Sequence, residues 1–439
     1  MKREIITNII QSLVEKFFII GTQLIISILL VRLLNIEDYG IMGVVLGYYV
    51  FVNVINISLE SIILRDHKEY SNNLNKYFLN FSVFNVVKCI CFIIVALVLA
   101  EYLVKAHNNL NFFYAIVSIT AILISDSIVA PIVIYTTSTF KQKVVTRIAI
   151  YRSVLNILLT CGLFISPSMT YVAMKDLLVS LCYIILWIVY SRKLIDYKTV
   201  MRIENFDFHF IKKSLLGYSL WTHLNGVVTG FIYKSDTFFL SFFVSLSVIG
   251  NYNIALTSAN VANIIPMIFG YQNSVALSHA KNDEHANRIS NIFIRLSIYI
   301  GILTLIGFLV LGKFYLMIIT GLSNVDVIYS YMIPIVAGLV IVKSFASPLN
   351  AFINIKGSVK SLFVSVHIPV FLATVLLYYL SSRYWGPQGV SLTNVVVAII
   401  WLLLIIREIK KHSYNFSSIK YISDDIKYLR SFFKNGYKK

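Results

Sequence analysis

The stretch ICFIIVALVLA, residues 90–100, contains no charged side chain, and the stretch IIGTQLIISILLV, residues 19–31, is of the same kind. Such blocks recur along a chain of 439 residues that is 58% hydrophobic and 13% charged. About 20 mostly apolar residues cross the roughly 30 Å hydrocarbon core of a bilayer as a helix. The alternation over about ten residues that a membrane barrel requires is absent. We therefore predict an all-α polytopic membrane protein with about twelve transmembrane helices.

The predicted helices follow the apolar blocks. Glu15 and Lys16 lie in the first block, which lacks a small-residue cleavage site, so we expect that block to remain as the first helix. The predicted ranges are 9–34, 40–64, 78–102, 112–135, 146–166, 171–191, 214–243, 249–278, 289–312, 329–355, 361–381 and 389–408.

The formal net charge is +18, but the basic residues lie in short loops between apolar blocks, which argues against nucleic acid as a partner. The segment Ser191–Lys213 holds six of them, and nine follow from Arg407 onward. The loops on the other side hold only Arg32, Lys105, Lys313 and Arg383. Because Lys and Arg concentrate in cytoplasmic loops, we expect both termini in the cytoplasm and a location in the cytoplasmic (inner) membrane.

The basic central segment divides the chain into two related halves. We predict an N-terminal six-helix bundle over 1–193, a cytoplasmic linker over 194–213, a C-terminal six-helix bundle over 214–408 and a basic cytoplasmic tail over 409–439. A shift of 210 positions aligns Gly40 with Gly250 and Asn53 with Asn263. Both halves begin on the same side, so the repeat is parallel, with its axis along the membrane normal.

Polar side chains recur three, four or seven residues apart along five predicted helices, so each set lies on one helix face. The sets are Tyr218, Thr222, Asn225, Thr229, Tyr233 and Asp236; Lys343, Ser347, Asn350 and Asn354; Tyr49, Asn53, Asn56 and Glu60; Ser12, Lys16, Gln23 and Ser27; and Asn253, Thr257 and Asn260. A single such residue most often joins helices by a hydrogen bond. Continuous stripes indicate helices that line a central aqueous cavity between the two bundles.

Intramembrane charges are rare because each costs roughly 2.5–3.5 kcal/mol on insertion scales. The candidates for substrate binding are Lys16, Lys88, Arg152, Lys234 and Lys343, with Asn53, Asn225 and Thr229 as hydrogen-bonding groups. The interior acids Asp126 and Asp236 are fewer, so the cavity should attract an anion, and these acids are candidates for ion coupling. A structural alternative for Lys88 is a buried ion pair, for example with Asp126.

Several kinds of chemistry are not indicated. The sequence has no P-loop, no H-E-x-x-H and no G-x-S-x-G, and its eight histidines form no ligand-spaced set. The four cysteines all fall in predicted helices, which indicates neither a disulfide framework nor a zinc site. We expect a protein that is not an enzyme and has no catalytic residues, no metal and no cofactor.

The outer turn VRLLNIEDYG, residues 31–40, the charged loop after the second helix and the two six-helix halves resemble the polysaccharide-transporter branch of the multidrug/oligosaccharidyl-lipid/polysaccharide (MOP) flippase superfamily, whose members include Wzx-type O-antigen flippases. The resemblance implies a MATE-like fold whose central cavity opens alternately to each side. It implies an undecaprenyl-pyrophosphate-linked oligosaccharide as substrate, held by luminal cations. The expected partners are this lipid-linked oligosaccharide, the bilayer, a coupling Na⁺ or H⁺, and polysaccharide polymerase and chain-length machinery.

Two alternatives remain open from the residues. An ion-coupled drug or metabolite exporter of the same superfamily would be expected to have an acidic pocket for organic cations. A membrane-embedded polymerase or glycosyltransferase would be expected to have a sizeable outer loop. The predicted outer loops 320–328 and 381–388 are only about ten residues long.

The charge pattern gives a prediction of topology. Reporter domains fused at Lys198 and after Lys439 should both be found in the cytoplasm, because the basic residues concentrate in these segments. A periplasmic signal at either position would contradict the arrangement of two times six helices.

Overall fold

In the computed structural model, residues 2–59, 73–139, 141–193, 196–216, 220–263, 266, 273, 277, 282–412 and 414 are described, and every regular element among them is helical. The α-helices are α1 Lys2–Leu33, α2 Ile36–Val52, α3 Leu74–His107, α4 Asn111–Ser138, α5 Gln142–Thr160, α6 Met169–Ser191, α7 Tyr197–Val200, α8 Phe208–Ser214, α9 Leu220–Leu240, α10 Leu246–Ala259, α11 Asp283–Thr320, α12 Asp326–Val340, α13 Ser347–Lys356, α14 Val359–Leu362 and α15 Ile368–Ile409. Short 3₁₀ turns follow α5, α10 and α15 at Cys161–Phe164, Asn260–Asn263 and Lys410–His412, and another lies at Ile203–Asn205. π-Helical turns join α12 to α13 (Ile341–Ala346) and α14 to α15 (Phe363–His367).

Eight helical stretches of the described chain are long and apolar enough to cross a membrane. One of them, Val359–Ile409, is 51 residues long, about twice what one crossing needs. It is interrupted at Gly386, whose φ of 56° together with a ψ of −146° suits only glycine, and Pro387 follows. This stretch contains the two predicted helices 361–381 and 389–408. The all-helical membrane fold is thus confirmed, while the count of twelve crossings stays a prediction.

The predicted continuous helix 40–64 is wrong. Helix α2 ends at Val52 with Asn53 as its cap, and residues 54–59 form turns and irregular backbone. Seventeen residues at 1.5 Å each span about 25 Å, which is less than the hydrocarbon thickness. The side chains of Asn53, Asn56 and Ser58 compete with helical hydrogen bonding, which apolar periodicity does not register.

A row of glycines lets α2 approach two other helices closely. A methyl group on Gly40 would overlap the carbonyl oxygen of Leu246, and one on Gly250 would overlap that of Ile36. Residues 36 and 246 begin α2 and α10 and are related by the same 210-residue shift as the two glycines. Each helix thus places its glycine against the first turn of the other, as a parallel twofold repeat predicts.

The row continues along α2. Gly43 lies against the side chain of Asn253, and Gly47 lies against the backbone of Phe238 in α9. The Asn253 amide also donates to the Tyr39 carbonyl oxygen at 3.1 Å. Small residues of this kind allow membrane helices to pack backbone against backbone.

The segment between α6 and α9 is fixed to the N-terminal end of α3. The buried Asn80 amide donates to the Asn205 carbonyl oxygen at 2.8 Å and accepts from the Asp207 N–H at 2.8 Å. The Phe210 N–H and the Lys76 ammonium hold the pKa of Asp207 below its usual range. Beneath this clamp, Tyr77, Phe78, Phe81, Val200 and Ile211 form an apolar cluster with Leu59.

The chain forms two compact units, Met1–Ile254 with Ile319–Gly321, and Ala255–Ile318 with Leu322–Lys439. In the first unit α4 packs against α3 and α6, α1 against α5, and α9 against α2; in the second, α12 packs against α15. This division by compactness falls within α10 rather than in the linker, so the predicted halves 1–193 and 214–408 stay a prediction. Tyr218, Glu60 and most of the predicted tail lie outside the described residues.

The glycine contacts give a prediction of stability. Gly40→Ala and Gly250→Ala should each lower the free energy of unfolding by about 1–3 kcal/mol, because the added methyl group meets backbone that cannot move aside. Thermal unfolding of the purified protein measures the change. The matched control is Gly21→Ala in α1, where nothing lies within 4 Å of the added carbon. Equal stability of the Gly40 and Gly21 variants would contradict the close crossing.

Candidate functional site

Three polar side chains meet near the middle of three adjacent membrane helices. The Arg152 Nη1 of α5 donates to Oδ1 of Asp126 in α4 at 2.7 Å. The same guanidinium lies 4.1 Å from the ring centroid of Tyr183 in α6. A cation over an aromatic face adds attraction to the ion pair. The structure therefore brings together one residue predicted to bind substrate and one predicted to couple an ion.

Asp126 lies in α4, a helix whose central part is otherwise covered by neighbouring protein. Between Tyr114 and Thr136, Asp126 is the single exposed residue, with 49% of its side chain accessible. The Arg152 side chain is 24% accessible. A half-exposed carboxylate in mid-helix cannot face hydrocarbon without a large penalty. We infer that the pair opens into a water-filled space in the first unit.

A second polar site stabilises the break after α2. The buried Lys88 ammonium donates to the Ile57 carbonyl oxygen at 3.1 Å, and His223 Nε2 lies 2.9 Å from the Val54 carbonyl oxygen. Non-helical backbone at membrane depth is tolerated where protein or water satisfies its polar groups. Lys88 therefore contacts a carbonyl oxygen of the non-helical segment after α2, and the Asp126 carboxylate pairs with Arg152 rather than with Lys88.

The remaining predicted cations have different surroundings. Lys16 in α1 and Lys234 in α9 are exposed, and Gln23, seven residues after Lys16, is exposed on the same face of α1. Lys343 is half-buried and lies in the π-helical turn Ile341–Ala346 of the second unit. π-Helical turns inside longer helices are frequent at functional sites.

The predicted hydrogen-bonding residues are half-buried. Asn53 is the C-terminal cap of α2, and Asn56 lies in the non-helical segment beyond it. Thr229 donates to the Asn225 carbonyl oxygen of its own helix at 2.7 Å. The substrate-binding role of Asn53, Asn225 and Thr229 stays a prediction.

Asp236 is almost fully buried, and both of its oxygens accept hydrogen bonds. Oδ2 accepts from the Tyr252 hydroxyl at 2.8 Å, and Oδ1 accepts from the Thr237 N–H at 2.8 Å. The bond from Tyr252 joins α10 to α9 within the first unit. Asp236 therefore has a packing role, and its predicted part in ion coupling stays a prediction.

Sequence reasoning missed a buried charge cluster between α4, α5 and α6. The Lys175 ammonium donates to Asp176 Oδ1 at 2.5 Å and to Asn156 Oδ1 at 3.0 Å, and Ser118 donates to Asp176 Oδ2 at 2.5 Å. The two charged side chains are 3% and 8% exposed. Lys175 and Asp176 are adjacent opposite charges inside the predicted helix 171–191, and this pattern could have indicated the buried cluster. Among the described residues no three His, Cys, Asp or Glu side chains form a group that could hold a metal.

The sequence family described as "Polysaccharide biosynthesis protein" matches residues 29–329, which is well over half of the chain. The chain belongs to this family. No protein of curated function matches the sequence of this family member.

Solved structures show the fold of this polysaccharide biosynthesis family member. An inward-facing multidrug resistance MATE transporter of the MOP superfamily aligns over 90% of this chain and 96% of its own, with a TM-score of 0.67 at 14% identity. The lipid II flippase MurJ, in an inward closed conformation, aligns over 92% and 87%, with a TM-score of 0.64 at 16% identity. The family member is thus a multi-pass membrane protein with the MOP transporter fold, and the resemblance inferred from the sequence is confirmed.

A further structural neighbour is a MOP superfamily transporter from Pyrococcus furiosus with a binding pocket of reverse polarity, which suggests a different function for that protein. It aligns over 94% of this chain and 97% of its own, with a TM-score of 0.54 at 13% identity.

The break after α2 gives a prediction for Lys88. Lys88→Met should lower the free energy of unfolding by about 1–3 kcal/mol, because it removes a hydrogen-bond donor from a carbonyl oxygen inside the protein. Adding Asp126→Asn should not restore stability. Lys105→Met, near the exposed end of the same helix, should cost about 0.5 kcal/mol or less. Thermal unfolding in detergent measures all three variants, and rescue by Asp126→Asn would contradict the assignment.

Proposed function

We propose that this protein is a flippase that moves an undecaprenyl-pyrophosphate-linked oligosaccharide across the cytoplasmic membrane, by alternating access. The observation that carries the proposal is that a member of a polysaccharide biosynthesis family has the fold of MOP superfamily transporters. Such a substrate must cross the bilayer after cytoplasmic assembly, and its charged, sugar-bearing head group cannot enter hydrocarbon unaided.

The chemistry of the intramembrane side chains supports a substrate with an anionic head group. Arg152 is accessible near the middle of its helix, and Lys16 and Lys234 are exposed on α1 and α9. In a medium of low dielectric constant, a guanidinium or ammonium attracts a pyrophosphate far more strongly than it does in water. The polyprenyl tail would stay in lipid while the head group passes along these side chains.

One structural neighbour is called a lipid II flippase and another a multidrug transporter. The choice for this chain is therefore between a lipid-linked substrate and a drug-like one. The neighbour with a pocket of reverse polarity indicates that the polarity of the pocket varies on this fold. The excess of interior cations over acids predicted for this chain favours the lipid-linked anion over an organic cation. Drug or metabolite export remains the second candidate, and the close fit to a multidrug transporter is the observation that favours it.

The crossing of α2 and α10 offers a place where access could alternate. Gly40 and Gly250 hold the first turns of these helices together at one end. In the proposed topology this end is the outer one, with both termini in the cytoplasm. Opening toward the outside would require the two first turns to separate, and a coupling Na⁺ or H⁺ at Asp126 or Asp236 would supply energy. Polysaccharide polymerase and chain-length machinery would act on the released substrate.

The proposed function is tested in cells that lack the gene. Lipid-linked oligosaccharide in the outer leaflet, measured with a membrane-impermeant sugar-binding probe, should fall at least tenfold and return with the wild-type gene. Lys343→Ala should fail to restore it at normal protein abundance, whereas Lys343→Arg should restore part of it, because an anion still finds a cation there.

Lys105→Ala is the matched control, since this lysine lies in an exposed ion pair near the end of α3. It should restore the signal fully. An unchanged amount of oligosaccharide in the outer leaflet of the deletion strain, together with altered efflux of organic cations, would replace the flippase with the exporter.

A further inference from the structure

The contact between Arg152 and Asp126 is a single hydrogen bond, although a guanidinium and a carboxylate can form two with each other. One guanidinium nitrogen, Nη1, meets one carboxylate oxygen, Oδ1, at 2.7 Å. A guanidinium can present two parallel N–H groups to a carboxylate or a phosphate, and that paired geometry is the stronger one. The Arg152–Asp126 pair is therefore weaker than the contact that Arg152 could make with a phosphate group.

The neighbouring pair in the same bundle shows the contrast. Lys175 and Asp176 are almost completely buried, and Asn156 and Ser118 hold their remaining polar atoms. Displacing that pair would leave buried charges without partners. Asp126 and Arg152 are 49% and 24% accessible, so an ion that reaches them in water can exchange with the carboxylate.

The Tyr183 ring holds the Arg152 guanidinium in place when the Asp126 carboxylate moves away. Its ring lies 4.1 Å from the guanidinium carbon. Two of the exposed apolar residues of α6, Leu181 and Ile185, lie two positions to either side of Tyr183 and so point to the opposite side of the helix. Tyr183 thus supports Arg152 on the side away from lipid, independently of Asp126.

We propose that Asp126 is a built-in competitor that occupies Arg152 until a multiply charged phosphate displaces it. The inference rests on the proposed function for the identity of that anion. The tethered carboxylate lowers the apparent affinity of Arg152 for every anion by the same factor, the fraction of time for which Arg152 is unoccupied. Chloride and other weakly bound ions then leave the site empty, whereas a pyrophosphate group binds strongly enough to enter. Asp126 in this way sets the affinity that an anion needs in order to occupy Arg152, and does not change the ratio of affinities between two anions.

The direction of one mutational effect decides between this role and a purely positioning one. The purified full-length chain in lipid nanodiscs is titrated with inorganic pyrophosphate and, separately, with inorganic phosphate. Asp126→Asn should bind both anions about tenfold more tightly than wild type, and Arg152→Gln should bind neither. Asp126→Glu, which keeps a carboxylate, should behave like wild type. If Asp126 merely positions Arg152, Asp126→Asn binds both anions more weakly.

Transport gives a second readout that a positioning role would not produce. Asp126→Asn should lower the half-saturating substrate concentration and also lower the maximal rate, because nothing then helps the anion to leave. Asp196→Asn, in the exposed turn before α7, is the control and should change neither quantity.

A measurement on the wild-type chain covers the case in which Asp126→Asn does not fold. Pyrophosphate should increase labelling of the Asp126 carboxyl by a carbodiimide, followed by mass spectrometry, because the displaced carboxyl loses its partner. Unchanged or reduced labelling, with pyrophosphate bound, overturns the proposal and leaves the proposed function standing. Absence of pyrophosphate binding by wild type removes Arg152 from the substrate site and overturns this proposal, while the proposed function is tested separately in the deletion strain.

Discussion

The hydrogen bond from the Lys88 ammonium to the Ile57 carbonyl oxygen expresses the constraint on which this fold depends. At bilayer depth there is no bulk water, so each polar group needs a partner inside the protein or in a water-filled space. Helix α2 can end after seventeen residues because α3 and α9 bring Lys88 and His223 to the carbonyl groups that follow. The same constraint joins Lys175 to Asn156, Ser118 to Asp176 and Tyr252 to Asp236. In each case a polar contact between helices also fixes which helices are neighbours.

Close backbone contact is the second element of the architecture, and it follows from small residues. Gly40, Gly43 and Gly47 lie three and four positions apart, so they form one face of α2. Through this face α2 meets the backbone at the start of α10 and near the end of α9, and the Asn253 side chain farther along α10. Lipid chains are as apolar as the side chains that they would replace, so helix association here depends on such packing and on hydrogen bonds.

Hydropathy and charge placement were sufficient to predict the helical membrane fold, because both are properties of single residues summed along a segment. The sequence aligned Gly40 with Gly250, and the structure places these two glycines at the crossing of α2 and α10. The break after α2 could not be predicted in this way, since one of the groups that stabilise it, His223, lies far along the chain. For the same reason the sequence named Asp126 and Arg152 separately and offered Lys88 as the partner of Asp126. Partner choice depends on which helices are adjacent, and apolar periodicity does not contain that information.

The two hydrogen bonds that Asn80 forms with Asn205 and Asp207 limit how far the linker can move. A linker of some twenty residues between the two predicted halves would allow wide excursions if it were free. Because the segment through Ser214 is fixed to α3, only five residues remain before Leu220, the start of α9. Five residues reach about 20 Å at full extension. The linker is therefore a short tether, and any motion of α9 relative to α3 has its pivot close to the N-terminal end of α3.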